Sequence, residues 1–191
     1  MCTAATYKTK CFYFGRNLDY ERGFGEQVVI TPRLFPLPMR HLPDLTRHYA
    51  MIGMASVQDG YPLYYDAVNE KGLCMAGLNF VRSAVYGPCA AGKANVAQFE
   101  LIPWLLGRCA TAAEARDLLV ESRITDDALR HSSQGSPDPR RSPAAPLHLR
   151  AVSGQALKLH RGQQNSGFTR YLRLQSVPDR ISRGILRIRR T

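Results

Sequence analysis

The residue type that offers the clearest chemistry in this chain is Cys2, which directly follows the initiator Met1. Aminopeptidases remove an initiator methionine when the next residue is small, as cysteine is. The processed chain would then begin with a thiol nucleophile and a free α-amine on one backbone unit. Such an amine titrates near pH ~7.7–8.0, so part of it can accept the thiol proton at neutral pH. Taken alone, however, a cysteine at position two is better interpreted as an ordinary surface residue.

Two charged residues follow Cys2 within the length of one β-hairpin. Strands are predicted over residues 3–9 and 11–14, and their antiparallel pairing would bring the segment that follows back towards Cys2. Arg16 would then supply a positive charge that favours the thiolate. Asp19 could accept hydrogen bonds from the α-amine and orient it. The alternative is an Arg16–Asp19 ion pair on a solvated turn, which would contribute little.

A third polar candidate is Asn79, at the end of an apolar segment. A strand from Tyr64, a tight turn at 69–72 and a second strand over 73–78 are predicted to precede it. A side-chain amide in this place can donate a hydrogen bond to an oxyanion that develops during attack on a carbonyl. Its alternative role is that of a turn or capping residue.

Together these segments resemble the choloylglycine hydrolase family, the bile salt hydrolases and penicillin V acylases of the N-terminal nucleophile hydrolases. The matching motifs, in the family's order, are Met1-Cys2-Thr3, Phe14-Gly15-Arg16-Asn17-Leu18-Asp19, Asn69-Glu70-Lys71-Gly72-Leu73 and Ala76-Gly77-Leu78-Asn79-Phe80. The similarity extends from Met1 to about Asp127. The aromatic residue directly after Asn79 favours the bile salt hydrolase branch.

The resemblance implies a role for each candidate residue. Cys2 would be the nucleophile and its amine the base. Arg16 and Asp19 would assist the nucleophile and the positioning of the substrate, and Asn79 would contribute to the oxyanion hole. The implied reaction is hydrolysis of the amide bond of glycine- or taurine-conjugated bile salts, with penicillin V or another N-acyl amide as the alternative substrate. No metal or organic cofactor is implied, and full-length members are often homotetramers.

Outside the motifs, the sequence predicts strands followed by helices. Strands are expected over 27–31 and 49–55, and an apolar helix is expected over 97–106, where Pro103 requires a kink or a break. A capping box at Thr111 predicts the start of a second helix that runs to about residue 122. This order is typical of an α+β fold. The resemblance narrows it to the four-layer αββα sandwich of the N-terminal nucleophile hydrolases, in a truncated form.

The cysteine content favours a reducing compartment. The chain has an odd number of cysteines without the spacing of a zinc site, namely Cys2, Cys11, Cys74, Cys89 and Cys109. It has no early apolar signal segment and no apolar run of membrane-spanning length. We therefore predict a cytoplasmic protein with no membrane partner, although disulfides remain a weaker alternative.

The net charge of +11 would ordinarily suggest a nucleic-acid partner, but its distribution argues against one. Residues 1–124 carry 13 Lys and Arg against 11 Asp and Glu, whereas residues 125–191 carry 13 against 4. Nearly all the excess charge therefore belongs to the end of the chain. We predict a small-molecule substrate and no nucleic-acid partner for the body of the protein.

The sequence divides into an N-terminal part of the hydrolase domain at 1–127 and a tail rich in Arg, Pro and Ser at 128–191. Three interpretations of the tail stay open. It could be a disordered basic extension that binds polyanions on a non-catalytic fragment, a divergent C-terminal half, or an out-of-frame translation. Read one base later, the codons for His160-Arg161-Gly162 can encode Thr-Val-Asp, which resembles the family in this region.

The last third of the sequence contains no match to two further family motifs, a second oxyanion Asn and a later active-site Arg. If the tail is out of frame, layers of the sandwich would be left with uncovered apolar faces. We therefore expect poor solubility and no robust turnover from the chain as written.

Overall fold

The computed structural model describes residues 2–19, 23–79 and 86–128, and the backbone of three later strands. In chain order the elements are β1 (Thr3–Lys8), β2 (Phe12–Asn17), β3 (Gln27–Thr31), β4 (Met51–Gln58), β5 (Tyr61–Asn69), β6 (Cys74–Asn79), β7 (Ala94–Ala97), a 3-10 turn (Gln98–Glu100), α1 (Leu101–Arg108), α2 (Ala112–Val120), β8 (Ser122–Thr125), β9 (Leu147–Ser153), β10 (Gln155–Lys158) and β11 (Ile185–Ile188). Most of the predicted tail lies outside the described residues.

The described strands form two antiparallel sheets and a small parallel pair. The smaller sheet has the order β1-β2-β11, and the larger has the order β10-β9-β6-β5-β4-β3. Strands β7 and β8 pair in parallel beside them. The predicted hairpin at the start of the chain and the predicted turn between β5 and β6 are both confirmed, the latter with Gly72 at a φ of 83°.

One face of the larger sheet packs against the β1–β2 hairpin. Its small and branched side chains, Val68, Cys74 and Ala76, contact Ala4 and Phe14. All five residues are at most 7% exposed, so the two sheets exclude water from a common apolar layer. Burial of such side chains contributes roughly 1–3 kcal/mol each.

The opposite face of the larger sheet packs against the two helices. Ala67 of β5 and Met75 of β6 lie in one cluster with Trp104 and Leu105 of α1. The described layers therefore follow the order sheet, sheet, helices. This confirms the α+β class and corresponds to three of the layers of an αββα sandwich.

The helix predicted over 97–106 begins later, at Leu101, and that boundary was wrong. Residues 94–97 instead form β7, which pairs with β8, so a distant partner overrides the local helical pattern. Pro103 falls in the first turn of α1, where its missing N–H breaks no helical hydrogen bond. No kink is needed to accommodate it.

The predicted capping box at the start of α2 is confirmed. The Thr111 hydroxyl accepts a hydrogen bond from the backbone N–H of Glu114 at 3.2 Å, and the Glu114 carboxylate accepts one from Ala110 N–H at 2.8 Å. The helix ends at Val120 rather than near residue 122, because Ser122–Thr125 pairs as β8.

All five cysteines are free thiols in the structure, and Cys2, Cys74 and Cys109 are buried. Within the ranges that the structure describes, no helix is both long enough and apolar enough to cross a membrane.

Candidate active site

Cys2 directly precedes β1 and is only 3% exposed in the chain that still carries Met1. In the hairpin Thr3 pairs with Asn17, and Thr3 N–H also donates to the Asn17 side-chain oxygen at 2.6 Å. The hairpin therefore returns β2 to the neighbourhood of Cys2, as the sequence predicted. Met1 lies outside the described residues.

Arg16 lies on the face of the hairpin that meets the larger sheet. It is paired with Ala4, whose side chain is buried between the sheets. Cys2 lies two residues before Ala4, on the segment that leads into β1. It is therefore a diagonal neighbour of Arg16 across the hairpin, and diagonal neighbours on paired strands are typically ~7–8 Å apart. The Arg16 side chain is therefore within reach of the segment that carries the thiol.

The Arg16 guanidinium is held by the larger sheet. Its side chain is 6% exposed, and Nη2 donates a hydrogen bond to the Gly77 carbonyl oxygen at 2.5 Å. Nε lies 3.5 Å from Oδ2 of Asp66, so the two side chains form an ion pair. Nε itself makes no hydrogen bond to the described residues. Among the described residues Nη1 has no hydrogen-bond partner, although it is buried. The positive charge is thus fixed between the two sheets.

Asp66 is the site residue that sequence reasoning missed. Its Oδ1 accepts a hydrogen bond from Met54 N–H at 3.3 Å, and its Oδ2 faces Arg16. Burial raises the pKa of the Asp66 carboxyl above its ordinary value, while the charge of Arg16 and the Met54 hydrogen bond oppose that rise. An acidic residue inside a strand with buried neighbours is the signal that could have identified it, because such a carboxylate requires a partner.

Asn79 is the last residue of β6, and its backbone pairs with Leu147 of β9. Gly77, whose carbonyl oxygen accepts the hydrogen bond from Arg16, lies two residues before Asn79 on the same strand. The backbone of β6 therefore connects the two predicted site residues. The side chain of Asn79 lies outside what the structure describes. Its role in an oxyanion hole stays a prediction.

Asp19 lies two residues beyond the end of β2 and is exposed. It is on the same return segment as Arg16, but it does not share the buried position of Arg16 between the sheets. Because Met1 lies outside the described residues, the predicted hydrogen bond between Asp19 and the α-amine stays a prediction.

An apolar strip continues from Asp66 towards the edge of the larger sheet. Met54 pairs with Asp66 on one side and with Val28 on the other, so the three residues form one row across β5, β4 and β3. At the normal spacing of strands, Val28 lies on the order of 10 Å from Asp66. Val28 and Ile30 are 66% and 68% exposed, which leaves an apolar surface on the face that also carries the Arg16 contact.

Among the residues that the structure describes, no group of three or more His, Cys, Asp and Glu side chains is placed to hold a metal ion. The described side chains of the site offer a thiol, a buried guanidinium and a carboxylate, next to an apolar surface.

Comparison with known proteins links this geometry to one family. Residues 2–148 match the profile of the linear amide C–N hydrolases of the choloylglycine hydrolase family. A bile salt hydrolase/transferase from Lactiplantibacillus plantarum is 53% identical over 116 residues, which cover 61% of this chain and 36% of that protein.

Solved structures agree with this match. The C2A mutant of conjugated bile acid hydrolase from Clostridium perfringens superposes with a TM-score of 0.72 at 28% identity, over 84% of this chain and 48% of that one. Penicillin V acylase from Agrobacterium tumefaciens has a TM-score of 0.60 at 18% identity, a likeness in fold alone. These superpositions confirm the predicted fold class. The chain spans about half of the solved relatives' length or less.

Proposed function

Because the chain belongs to the choloylglycine hydrolase family of linear amide C–N hydrolases, we propose that it acts on glycine- or taurine-conjugated bile salts through Cys2. The observation that carries this proposal is the position of Cys2 as a diagonal neighbour, across the hairpin, of Arg16, whose buried charge is held between the two sheets. A buried cation next to a thiol stabilises negative charge on sulfur, which is what a cysteine nucleophile requires.

The proposed reaction begins once Met1 has been removed. The free amine of Cys2 accepts the thiol proton, and the sulfur attacks the amide carbonyl of the substrate. The carbonyl oxygen becomes an oxyanion, for which Asn79 is the proposed donor. The C–N bond then breaks, the proton passes to the departing glycine or taurine nitrogen, and a thioester remains on Cys2. Water, deprotonated by the same amine, cleaves the thioester and releases the bile acid.

The apolar strip supports a substrate with an extended apolar acyl group. Val28 and Ile30 present exposed branched side chains on the sheet face that carries Asp66. Ligand sites combine such surfaces with a few polar groups that orient the ligand. A steroid acyl group offers more apolar area to this strip than a phenoxyacetyl group does. The names of the bile salt hydrolase relatives agree with this preference.

The substrate preference is tested by amide cleavage under single-turnover conditions, with protein in excess over substrate. We expect taurocholate and glycocholate to be cleaved at least about tenfold faster than phenoxymethylpenicillin, because the extra buried apolar area stabilises the transition state for the steroid amides. The amines and acids released are quantified by mass spectrometry. Faster cleavage of phenoxymethylpenicillin would instead assign the chain to the penicillin V acylase branch.

The assembly that the resemblance implies and the compartment that the cysteine content favours stay proposals. We propose a homo-oligomer, a tetramer for the full-length protein, that resides in the cytoplasm.

A further inference from the structure

The ion pair between Arg16 and Asp66 is built from elements that are far apart in the sequence. Arg16 lies on β2 of the smaller sheet, and Asp66 lies on β5 of the larger one. The pair is confined between the two sheets, with the Arg16 and Asp66 side chains 6% and 17% exposed. A guanidinium this deeply buried needs a counter-charge, because an uncompensated buried charge is strongly destabilising.

The backbone around Asp66 is shaped to present its carboxylate. Between β4 and β5 the register shifts, so that Met54 pairs with Asp66 while Ala55 pairs with Tyr64, which leaves Tyr65 as the extra residue of a β-bulge. Bulges redirect side chains and are frequent beside active sites. The Met54 N–H, next to this bulge, donates to the Asp66 carboxylate and fixes its orientation.

The backbone of the neighbouring strand β4 also approaches the backbone of β5 closely at Asp66. A side chain at Gly53 of β4 would overlap backbone atoms of Asp66 and Ala67. The absence of a side chain at Gly53 therefore allows β4 and β5 to approach closely at the residue that faces Arg16. The close approach thus constrains the backbone at Asp66, and the Met54 hydrogen bond orients its carboxylate.

We propose that Asp66 is a positioning residue that acts on Cys2 only through Arg16, by holding the guanidinium between the sheets on the side where Cys2 lies. The inference rests on the proposed role of Cys2 as nucleophile. Asp66 has two acceptor oxygens, one for Met54 and one for Arg16. In Asp66→Asn one of these oxygens is replaced by an NH2 donor and the negative charge opposite Arg16 is lost, so the guanidinium keeps only its Gly77 bond and is held less firmly.

The test is the rate at which iodoacetamide alkylates Cys2 in the Met1-free chain, followed on the N-terminal peptide by mass spectrometry. We expect Asp66→Asn and Arg16→Gln each to slow this rate by about tenfold, because the positive charge beside the sulfur is displaced or lost. The double variant should match Arg16→Gln within about twofold, since Asp66 then has nothing to position. The exposed Cys89 in each variant serves as the internal reference.

Glu70→Gln is the matched control. Glu70 also pairs with an arginine, Arg33, and also accepts a backbone hydrogen bond, from Ala50 N–H, but on the exposed surface. We expect this variant to leave the alkylation ratio of Cys2 to Cys89 unchanged. A purely structural role for Asp66 would lower the melting temperature of Asp66→Asn and leave that ratio unchanged too, which would overturn the proposal.

The proposal also fails if removal of Asp66 changes Cys2 alkylation by more than about twofold in the Arg16→Gln background, because Asp66 would then act independently of Arg16. This comparison can still overturn the proposal if Asp66→Asn alone does not fold, since the double variant has neither member of the buried ion pair. Alkylation needs no amide substrate. A chain that fails to cleave bile salts therefore contradicts the proposed function without affecting this result.

Discussion

Replacement of Cys2 by alanine is expected to abolish the release of taurine from taurocholate, a loss of at least about 10³-fold. The alanine keeps the backbone and the α-amine but removes the sulfur that forms the thioester, and no neighbouring group described at this site can replace it as a nucleophile. The measurement is single-turnover release of taurine, with the removal of Met1 verified by intact mass for both proteins.

The matched control is Cys11→Ala. Cys11 is a half-buried free thiol that lies at the opposite end of the β1–β2 hairpin from Cys2. We expect this variant to retain taurine release within about twofold, because the substitution removes a thiol and leaves the paired strands intact. If Cys2→Ala releases taurine as fast as the control does, Cys2 is not the nucleophile.

Replacement of Asn69 by alanine is expected to cost about 3–5 kcal/mol of unfolding free energy. The Asn69 side chain is 3% exposed and joins the β5–β6 turn to the end of α1. Its Nδ2 donates to the carbonyl oxygens of Leu106 and Cys109, each at 2.7 Å. Its Oδ1 accepts from Lys71 N–H at 3.1 Å and from Leu73 N–H at 3.0 Å. The alanine would leave four backbone groups without these bonds.

Urea denaturation followed by circular dichroism measures this loss. Asn17→Ala serves as the control, because Asn17 is exposed and its side chain bonds the backbone N–H of Thr3. We expect the control to cost no more than about 1 kcal/mol. A cost below that value for Asn69→Ala would show that the turn and α1 are not joined through this amide.

The elements that were predicted from sequence are those specified by local patterns. The hairpin that returns Arg16 to Cys2 follows from two short strands, and the start of α2 follows from the spacing of Thr111 and Glu114. In both cases the interacting groups lie within about 20 residues of each other, so the sequence pattern contains the whole interaction.

The features that were missed depend on distant partners. The start of α1 is displaced because Ala94–Ala97 pairs with a strand nearly 30 residues later. Asp66 lies 50 residues from Arg16, and their meeting depends on how the two sheets stack. Stacking and pairing over such distances carry no local signature.

The most direct test of the central claim is a search for the covalent intermediate on Cys2. The Met1-free chain is mixed with glycocholate or taurocholate, quenched in acid and digested, and the N-terminal peptide is examined by mass spectrometry. We expect a cholyl thioester on the Cys2 peptide that forms with the release of glycine or taurine and is absent from Cys2→Ala. Release of the amino acid with the cholyl group on another residue, or with no dependence on Cys2, would contradict it.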